Sequence, residues 1–328
     1  MFFTRPMARL LKSNVNVNAI TRQQLCVEAL NTLTVPTVQS VRDKWISRFK
    51  TENIPEADSS ITNILAHVLK VQSLSDVNEH HKETKLSEAQ LAKVDELCEC
   101  RLARMPIQYI INEWEFRDLK LKMIPPVFIP RPETEELIEL ILQQIDAHGE
   151  MKFLEIGCGT GAITLSILKH APLASAIALD QSTLACELTL ENAKQHSLAE
   201  NLRIFRHKLV DKLPTELESQ KFDMIVSNPP YVPSRQLLTL EPEIKIYEDL
   251  RALDGGPDGL TVVKAILDIA GKHLQPAGVL WLEVDSSHPP LIEKYLDETV
   301  PQLGLKFMSS YKDLFRKERF VEIMKVDK

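Results

Sequence analysis

Apolar residues recur at helical spacing through the first third of the chain. Four sets follow this period: Leu25, Ala29 and Leu33; Val41, Trp45 and Phe49; Ile61, Ile64, Leu65, Val68 and Leu69; and Leu91, Val94, Leu97, Leu102 and Met105. Spacings of three and four residues place apolar side chains on one face of a helix. A polar segment, 75–85, interrupts the pattern. We therefore expect a small domain of four or five short amphipathic helices over 26–110.

The apolar period changes to two between 111 and 126. The alternating residues are Trp114, Phe116, Leu119, Leu121 and Met123. Alternation of this kind is typical of half-buried strands. It predicts a β-hairpin that turns near Arg117-Asp118 and ends before Pro125-Pro126. We place a domain boundary here, with the hairpin 111–126 as the connector.

From 127 onward, apolar runs of strand length alternate with helical patterns. Strands are expected at 151–156, 176–179, 202–206, 222–227 and 279–284, and helices at about 162–170, 183–196 and 258–273. Two final strands, near 305–311 and 319–326, fit the antiparallel edge of a mixed sheet. This alternation predicts an α/β domain over 127–328 with a mostly parallel, Rossmann-like sheet.

Another helix is expected to begin at Thr134. A threonine hydroxyl is a suitable N-cap, and Glu135 and Glu136 follow in the first turn, where the helix dipole favours negative charge. The buried stripe of this helix would consist of Leu137, Ile138, Ile141 and Ile145.

The overall composition narrows the classes of function. The 328 residues are 44% hydrophobic and 26% charged, close to the average of globular proteins, and no apolar run reaches the roughly 18 residues of a membrane span. A net charge of −7 does not favour a protein whose main task is to bind nucleic-acid phosphates. The five cysteines show no CxxC pair and no Cys/His ligand spacing, which indicates reduced thiols and argues against a metal site.

The first residues differ in charge from the rest of the chain. Arg5, Arg9, Lys12 and Arg22 precede the first acidic residue, Glu28, and no continuous apolar segment follows them. This composition is typical of a mitochondrial transit peptide, which we place at 1–25, and it predicts a location in the mitochondrial matrix. A frayed basic N-terminus without a targeting role is the alternative.

A glycine loop follows the strand 151–156 and leads into a helix. The segment from Glu155 to Gly161 contains the spacing GxGxG, which differs from the GxGxxG of pyrophosphate-binding loops. Asp180 ends the next strand, where a carboxylate can accept hydrogen bonds from two ribose hydroxyls. Because Glu155 would attract a cationic amino-acid group and repel a pyrophosphate, S-adenosylmethionine fits this loop better than NAD. The alternative is a glycine turn that serves only the strand-to-helix geometry.

The apolar strand 222–227 runs directly into Asn228-Pro229-Pro230-Tyr231. Ligands of open α/β sheets bind beyond the carboxyl ends of the strands, so this tetrapeptide should face the glycine loop. The Asn228 side-chain oxygen and the Pro229 carbonyl can both accept from an NH₂ group, and Tyr231 offers an aromatic face to a planar substrate. This arrangement suits methylation of an amide or exocyclic amino nitrogen by positioning. A proline loop that merely ends the strand is the alternative.

Together these motifs resemble the HemK/PrmC family of peptide chain release factor N5-glutamine methyltransferases. The resemblance rests on the glycine loop, Asp180, Asn228–Tyr231 and Phe128–Glu135 (FIPRPETE), with support from Met105–Ile110, Trp114–Phe116, Tyr247–Leu250, Ala252–Gly256 and Leu282–Val284. DNA adenine and ribosomal RNA methyltransferases share NPPY alone, whereas PRPET together with NPPY is far more specific. The resemblance implies a class I S-adenosylmethionine-dependent methyltransferase fold and methylation of the glutamine amide in the GGQ loop of class I release factors. With its acid-free N-terminus, the chain is most similar to the mitochondrial members.

The resemblance also implies roles for single residues. The residues implied to bind the cofactor are Glu155, Gly157, Cys158, Gly159, Thr160, Gly161, Asp180, Asp211 and Asn228. The residues implied in catalysis are Asn228, Pro229 and Tyr231. Substrate binding falls to Asn228, Pro229, Pro230 and Tyr231, with Arg131, Pro132, Glu133 and Thr134 at the mouth of the site. Family members usually carry an acidic residue near the adenine. Here either Asp211 fills that position after a small shift or Lys208 occupies it.

Two other functions stay open from the residues. A methyltransferase for DNA or RNA bases needs a flipped base and a basic groove, which the net charge does not favour. A non-catalytic translation or assembly factor would have no physical need for an intact cofactor loop and NPPY. If the chain methylates a release factor, we expect the N-terminal helices to contact that factor, because the crevice alone is too small to select a whole protein. No stable nucleic-acid partner and no membrane partner is expected.

Overall fold

The computed structural model describes residues 35–71, 74–209 and 212–326. The chain divides into two compact units, of which the first ends at Asp95 and the second begins at Glu96. The hairpin connector is therefore part of the second unit. The proposed domain limits at 26–110, 111–126 and 127–328 stay a prediction, and the transit peptide predicted at 1–25 lies outside the described residues. Within the described ranges, no helix combines the length and the apolar character that a membrane crossing requires.

The first unit is helical. It contains α1 (Val38–Thr51), α2 (Ala57–Leu69), α3 (Leu74–Glu79) and the beginning of α4 (Glu88–Leu102), which crosses the division between the units. Thr37 caps α1, since its hydroxyl accepts from the Ser40 N–H at 3.3 Å. The predicted stripe on α1 is buried, with Trp45 and Phe49 at 1% and 0% exposure. The first predicted set, Leu25, Ala29 and Leu33, lies outside the described residues.

The second unit continues with a short helix and a hairpin. After α5 (Ile107–Ile111), β1 (Glu113–Phe116) and β2 (Leu119–Lys122) pair antiparallel. The chain turns at Arg117-Asp118, as predicted. Phe116 and Leu121 are fully buried, so the alternation in the sequence marks the inner face of this hairpin.

A seven-stranded sheet forms the centre of the second unit. Its strands are β3 (Lys152–Ile156), β4 (Ser175–Asp180), β5 (Leu202–Arg206), β6 (Phe222–Ser227), β7 (Leu274–Glu283), β8 (Leu305–Lys312) and β9 (Glu318–Lys325). The order is β5-β4-β3-β6-β7-β9-β8. The first five strands in this order run parallel, and β9 pairs antiparallel with both β7 and β8. The predicted fold class is confirmed. The chain runs outward from β3 through β4 to β5 and then crosses back to β6 on the other side of β3. At such a reversal of strand order, a crevice opens at the carboxyl ends of the strands.

Helices cover both faces of this sheet. They are α6 (Pro132–Gln144), α7 (Ala162–His170), α8 (Thr183–Gln195), α9 (Pro242–Tyr247), α10 (Thr261–His273) and α11 (Pro289–Glu298). Short 3₁₀ segments lie at Ala199–Asn201, Thr215–Leu217, Ser234–Thr239, Leu250–Ala252 and Pro301–Leu303. Phe153 packs with the apolar faces of α6, α7 and α8, whereas the next residue, Leu154, packs with α10 and α11. Successive side chains of a strand point to opposite faces, so β3 contributes to the hydrophobic core on both faces of the sheet.

The predicted N-cap at Thr134 is wrong. Helix α6 begins at Pro132, with Arg131 as its N-cap. Proline is well suited to the first helical position, because the N–H that it lacks would have no partner there. The Thr134 hydroxyl instead donates to a carboxylate oxygen of Glu283 at 2.8 Å. A side chain assigned to local capping therefore makes a long-range contact.

Two boundaries also differ from the prediction. Helix α10 begins at Thr261 and not near 258, because the Asp258 carboxylate accepts from the Leu260 N–H at 3.0 Å and Gly259 has a φ of +78°. Strand β7 begins at Leu274, five residues before the apolar run of 279–284. Residues 275–277 are exposed although Leu274 is buried, so the hydrophobic pattern could not reveal the start of this strand.

Candidate active site

A cavity of about 330 Å³ opens at the carboxyl ends of β3, β4 and β6. Of the residues predicted for the site, those that line it are Thr134, Glu155, Gly157, Cys158, Gly159, Thr160, Asp180, Asn228, Pro229 and Pro230. The cavity therefore joins the glycine loop, the acidic end of β4 and the NPPY segment. The expected arrangement across the crevice is present.

The glycine loop is held against the neighbouring strand by its backbone. The N–H groups of Gly157 and Cys158 both donate to the carbonyl oxygen of Leu179, at 2.7 and 3.0 Å. A Cβ placed on Gly159, whose φ is +55°, would meet no protein atom within 4 Å. The space beside Gly159 is therefore the cavity itself, and a ligand can approach the backbone there.

Gly161 has a different role from Gly159. A Cβ at Gly161 would lie 3.0 Å from Thr189 Cγ2 and 3.1 Å from Leu165 Cδ1, and its φ is +85°. Gly161 also does not belong to the residues that line the cavity. This glycine therefore permits close packing at the start of α7, and the structure does not place it against a ligand.

Asp180 bridges the glycine loop and the start of α8. One carboxylate oxygen accepts from the Gly159 N–H at 3.0 Å and the other accepts from the Ser182 N–H at 2.8 Å. An ionised carboxylate has about four acceptor positions, so each oxygen keeps capacity for a ligand hydroxyl. Burial raises the pKa of Asp180 above its ordinary value, although these two N–H groups oppose the effect.

Glu155 is 1% exposed and still contributes to the cavity wall. One carboxylate oxygen accepts from both the backbone N–H of Thr164, at 3.0 Å, and the Thr164 hydroxyl. Burial raises the pKa of Glu155 to about 8. A cation placed in the cavity would therefore stabilise the ionised form of this side chain.

The NPPY segment is fixed by two sets of contacts. Its backbone is continued by Val232, whose N–H donates to Leu253 at 2.9 Å and whose carbonyl accepts from Gly255 at 2.8 Å. The side-chain NH₂ of Asn228 donates to the Thr134 hydroxyl oxygen at 3.2 Å, and this amide also lowers the pKa of Glu283. The Asn228 oxygen is thereby left on the other side of the amide group.

Several predicted residues do not line the cavity. Arg131, Pro132, Glu133 and Tyr231 are absent from its wall, as is Gly161. Arg131 donates to the buried carboxylate of Glu248 at 2.7 Å and lies 4.7 Å from the ring centre of Phe128, which does line the cavity. Burial raises the pKa of Tyr231 to about 12, which keeps the phenol neutral.

The structure describes only one of the two residues, Lys208 and Asp211, that the sequence offers for the position near the adenine. Lys208 lines the cavity together with His207 and Leu209. Asp211 lies outside the described residues, so its assignment stays a prediction. Arg251 also lines the cavity and pairs with Asp249 at 2.6 Å.

Sequence reasoning assigned no role to Glu283, Phe128 or Arg251. The signal for Glu283 was available, because it is a single acidic residue at the end of the apolar run 279–284. A charge in that position is buried if the strand is buried, and a buried charge requires partners. Within 35–71, 74–209 and 212–326, no group of three or more His, Cys, Asp or Glu side chains has the arrangement of a metal site.

Comparisons with known proteins assign the two parts of the chain separately. Residues 40–111 match the PrmC N-terminal domain, and residues 127–241 match the methyltransferase small domain. Among solved structures, a methyltransferase from Pyrococcus furiosus is 19% identical, with a TM-score of 0.46 over 64% of this chain and 91% of that one. That overlap is too distant to decide anything about this chain.

Three relatives have much higher sequence identity to this chain. Human MTRF1L release factor glutamine methyltransferase is 40% identical over 287 residues, which cover 85% of this chain and 85% of the relative. Release factor glutamine methyltransferases from Thermodesulfovibrio yellowstonii and Gloeobacter violaceus are 35% and 37% identical, over 74% and 58% of this chain and 83% and 66% of those proteins. The family suggested by PRPET and NPPY is confirmed: this chain belongs to the release factor glutamine methyltransferases.

Proposed function

We propose that this protein transfers a methyl group from S-adenosylmethionine to the side-chain nitrogen of the glutamine in the GGQ loop of a class I mitochondrial release factor. Family membership supports the reaction class. The observation that carries the assignment of residues is the single cavity shared by the glycine loop and Asn228-Pro229. Donor and acceptor can therefore meet at one place.

The cavity suits the proposed cofactor. The open space beside Gly159 admits a ligand against the backbone, and the remaining acceptor capacity of Asp180 suits the two hydroxyls of a ribose. Glu155 lines the same cavity, and a cationic amino-acid group bound there would stabilise its ionised, negatively charged form. When bound, S-adenosylmethionine supplies an electrophilic methyl group.

The acceptor side suits a planar amide. The lone pair of an amide nitrogen is delocalised, so the nitrogen needs orientation and stabilisation of the positive charge that develops on it. The Asn228 oxygen and the Pro229 carbonyl are both acceptors, and two acceptors on one NH₂ group would provide both effects. The transfer needs no strong base to deprotonate the amide nitrogen first, because the methylated product loses its proton after transfer.

The partner and the location are part of the proposal. The human relative is named for the release factor MTRF1L. The basic, acid-free segment before Glu28 favours import into mitochondria, and the net charge of −7 favours a protein substrate over nucleic acid. We further propose that the helical region, which matches the PrmC N-terminal domain, contacts the release factor.

In the experiment, the full chain and labelled S-adenosylmethionine are mixed with each of three acceptors in turn. These are a mitochondrial class I release factor, the same factor with alanine in place of the GGQ glutamine, and a mixed DNA and RNA pool. We expect label only on the unaltered factor, at the GGQ glutamine by peptide mass analysis. Asn228→Ala should lower the rate roughly 100- to 1000-fold, the effect of removing one group that stabilises developing charge, while cofactor affinity stays within about threefold.

Two results would contradict the proposal. Label on nucleic acid alone would assign NPPY to a base methyltransferase. Normal turnover by Asn228→Ala would show that the Asn228 side chain does not hold the methyl acceptor.

A further inference from the structure

Glu283 and Thr134 meet Asn228 at the edge of the cavity, although all three come from different elements. The Thr134 hydroxyl donates to Glu283 at 2.8 Å, and the Asn228 NH₂ group donates to the Thr134 oxygen at 3.2 Å. The Asn228 amide also lowers the pKa of Glu283. Thr134 and Glu283 are 2% and 1% exposed. The directions of these hydrogen bonds decide what the contact does.

A threonine hydroxyl has one proton, and here that proton is directed at Glu283. Toward Asn228, the Thr134 oxygen can therefore only accept. Above a pH of about 7 the Glu283 carboxylate is ionised and only accepts, which keeps the Thr134 proton directed at it. Asn228 thus faces an acceptor oxygen of Thr134, and only its NH₂ group can donate to that oxygen. If the amide were rotated by 180°, its oxygen would face the Thr134 oxygen without a proton between them.

We infer that Glu283 and Thr134 are positioning residues that hold Asn228 with its side-chain oxygen toward the methyl acceptor. This inference rests on the proposed function of Asn228. It assigns no contact with substrate or cofactor to Glu283. The residue before Asn228 is fixed as well, since the Ser227 hydroxyl donates to the Ile156 carbonyl at 2.6 Å. The amide orientation is therefore the one freedom that Glu283 and Thr134 need to remove.

Glu283→Gln tests this orientation with little change in volume. A glutamine can donate as well as accept, so it permits the rotated amide, whose NH₂ would then oppose the NH₂ of the substrate. We expect kcat to fall about 30- to 100-fold, because a small misplacement of a positioning group has effects of that size. The KM for the release factor and the dissociation constant of S-adenosylmethionine should stay within about threefold.

Thr134 supplies a matched pair of variants. Thr134→Val removes the hydroxyl and should lower kcat about tenfold, whereas Thr134→Ser restores the hydroxyl and should recover most of the activity. Thermal unfolding of both variants checks that the fold is intact. In an Asn228→Ala background, Glu283→Gln should have almost no further effect, since it acts through Asn228.

A second readout needs no turnover. The side-chain amide signal of Asn228, identified by its loss in Asn228→Asp, should exchange slowly with solvent in the unaltered protein and at least about tenfold faster in Glu283→Gln. Unchanged exchange, equal kcat for the two Thr134 variants, or a full Glu283→Gln effect without Asn228 would each overturn the inference. Failure of the unaltered protein to label the factor would instead count against the proposed function, and the exchange measurement would still decide the orientation.

Discussion

Glu155 and Glu283 are two buried glutamates near the carboxyl ends of strands in the same sheet, and each accepts a hydrogen bond from a threonine hydroxyl. Their other partners differ. Glu155 also accepts from the backbone N–H of Thr164, nine residues away on the adjoining helix. Glu283 contacts Thr134, 149 residues earlier in the chain, and the side chain of Asn228. One carboxylate is fixed by its own loop and helix, and the other joins three distant elements.

This difference separates two tasks in one cavity. Glu155 braces the first turn of α7 beside the glycine loop, so under the proposed function its charge would act on the cofactor side. Glu283 would act through Thr134 and Asn228, on the acceptor side. We therefore expect that cofactor affinity and turnover can be changed independently, although the cavity measures only about 330 Å³.

The largest expected effect on cofactor affinity is that of Glu155→Gln. The substituted side chain keeps the volume and one acceptor for Thr164, but it lacks the negative charge that faces a cationic ligand. A hydrogen bond to a charged group contributes roughly 1.5–3 kcal/mol, so the dissociation constant of S-adenosylmethionine should rise roughly 10- to 100-fold. Calorimetric titration measures the affinity, and kcat at saturating cofactor should stay within about threefold. If Glu155→Gln and Glu283→Gln lowered the same parameter, the two-sided assignment would be wrong.

The pH dependence of stability gives the next largest effect. In the unfolded chain both glutamates lose their protons near the ordinary pKa of 4.5, whereas burial raises the pKa of Glu155 to about 8 and of Glu283 to about 7. Between these values the folded protein binds more protons than the unfolded chain. The free energy of unfolding contributed by these groups therefore falls as the pH rises from about 5 to 8.

Urea unfolding of the cofactor-free protein at several pH values measures this dependence. The double variant Glu155→Gln/Glu283→Gln should show a flatter profile, by roughly 2 kcal/mol between pH 6.5 and 8, since each pKa unit corresponds to about 1.4 kcal/mol. The other titrating groups are common to both proteins. Identical profiles would show that burial of these two carboxylates does not control the slope.

The same contrast explains what the sequence could predict. The strand, glycine loop and helix from Lys152 to His170 are continuous in the chain, and their order follows from local hydrophobic period and glycine spacing. The position of Asn228 at the end of β6 was predictable for the same reason. Local patterns of this kind also predicted the hairpin turn at Arg117-Asp118.

The contacts of Thr134 and Glu283 could not be predicted in this way. A threonine beside a helix start is most often a cap, and the competing partner of Thr134 lies 149 residues away. Helix α11 was not predicted either. It begins with Pro289-Pro290, residues that suit the first helical turn but that also occur in loops. In both cases the local pattern fits two structures, and only the tertiary packing decides between them.

The smallest expected effect separates two glycines on the cofactor side, Gly159 and Gly161. Gly159→Ala would place a methyl group in the cavity at a φ of +55°, where it meets no protein atom within 4 Å. The dissociation constant of S-adenosylmethionine should rise about tenfold, since the methyl group occupies ligand space; the left-handed backbone also strains alanine by roughly 1–2 kcal/mol, which lowers the stability of the free and the bound protein alike. Gly161→Ala would instead press on Thr189 and Leu165, which should lower the free energy of unfolding by about 1–3 kcal/mol.

At temperatures below the melting temperature of Gly161→Ala, we therefore expect its dissociation constant for the cofactor to lie within about threefold of that of the unaltered protein. Calorimetric titration and thermal unfolding of both variants provide the four values needed. An equal loss of affinity in the two variants would mean that both glycines contact the ligand. The cofactor would then extend beyond the cavity wall toward the first turn of α7, and Glu155, which braces that turn through Thr164, would act on the ligand through the backbone as well as through its charge.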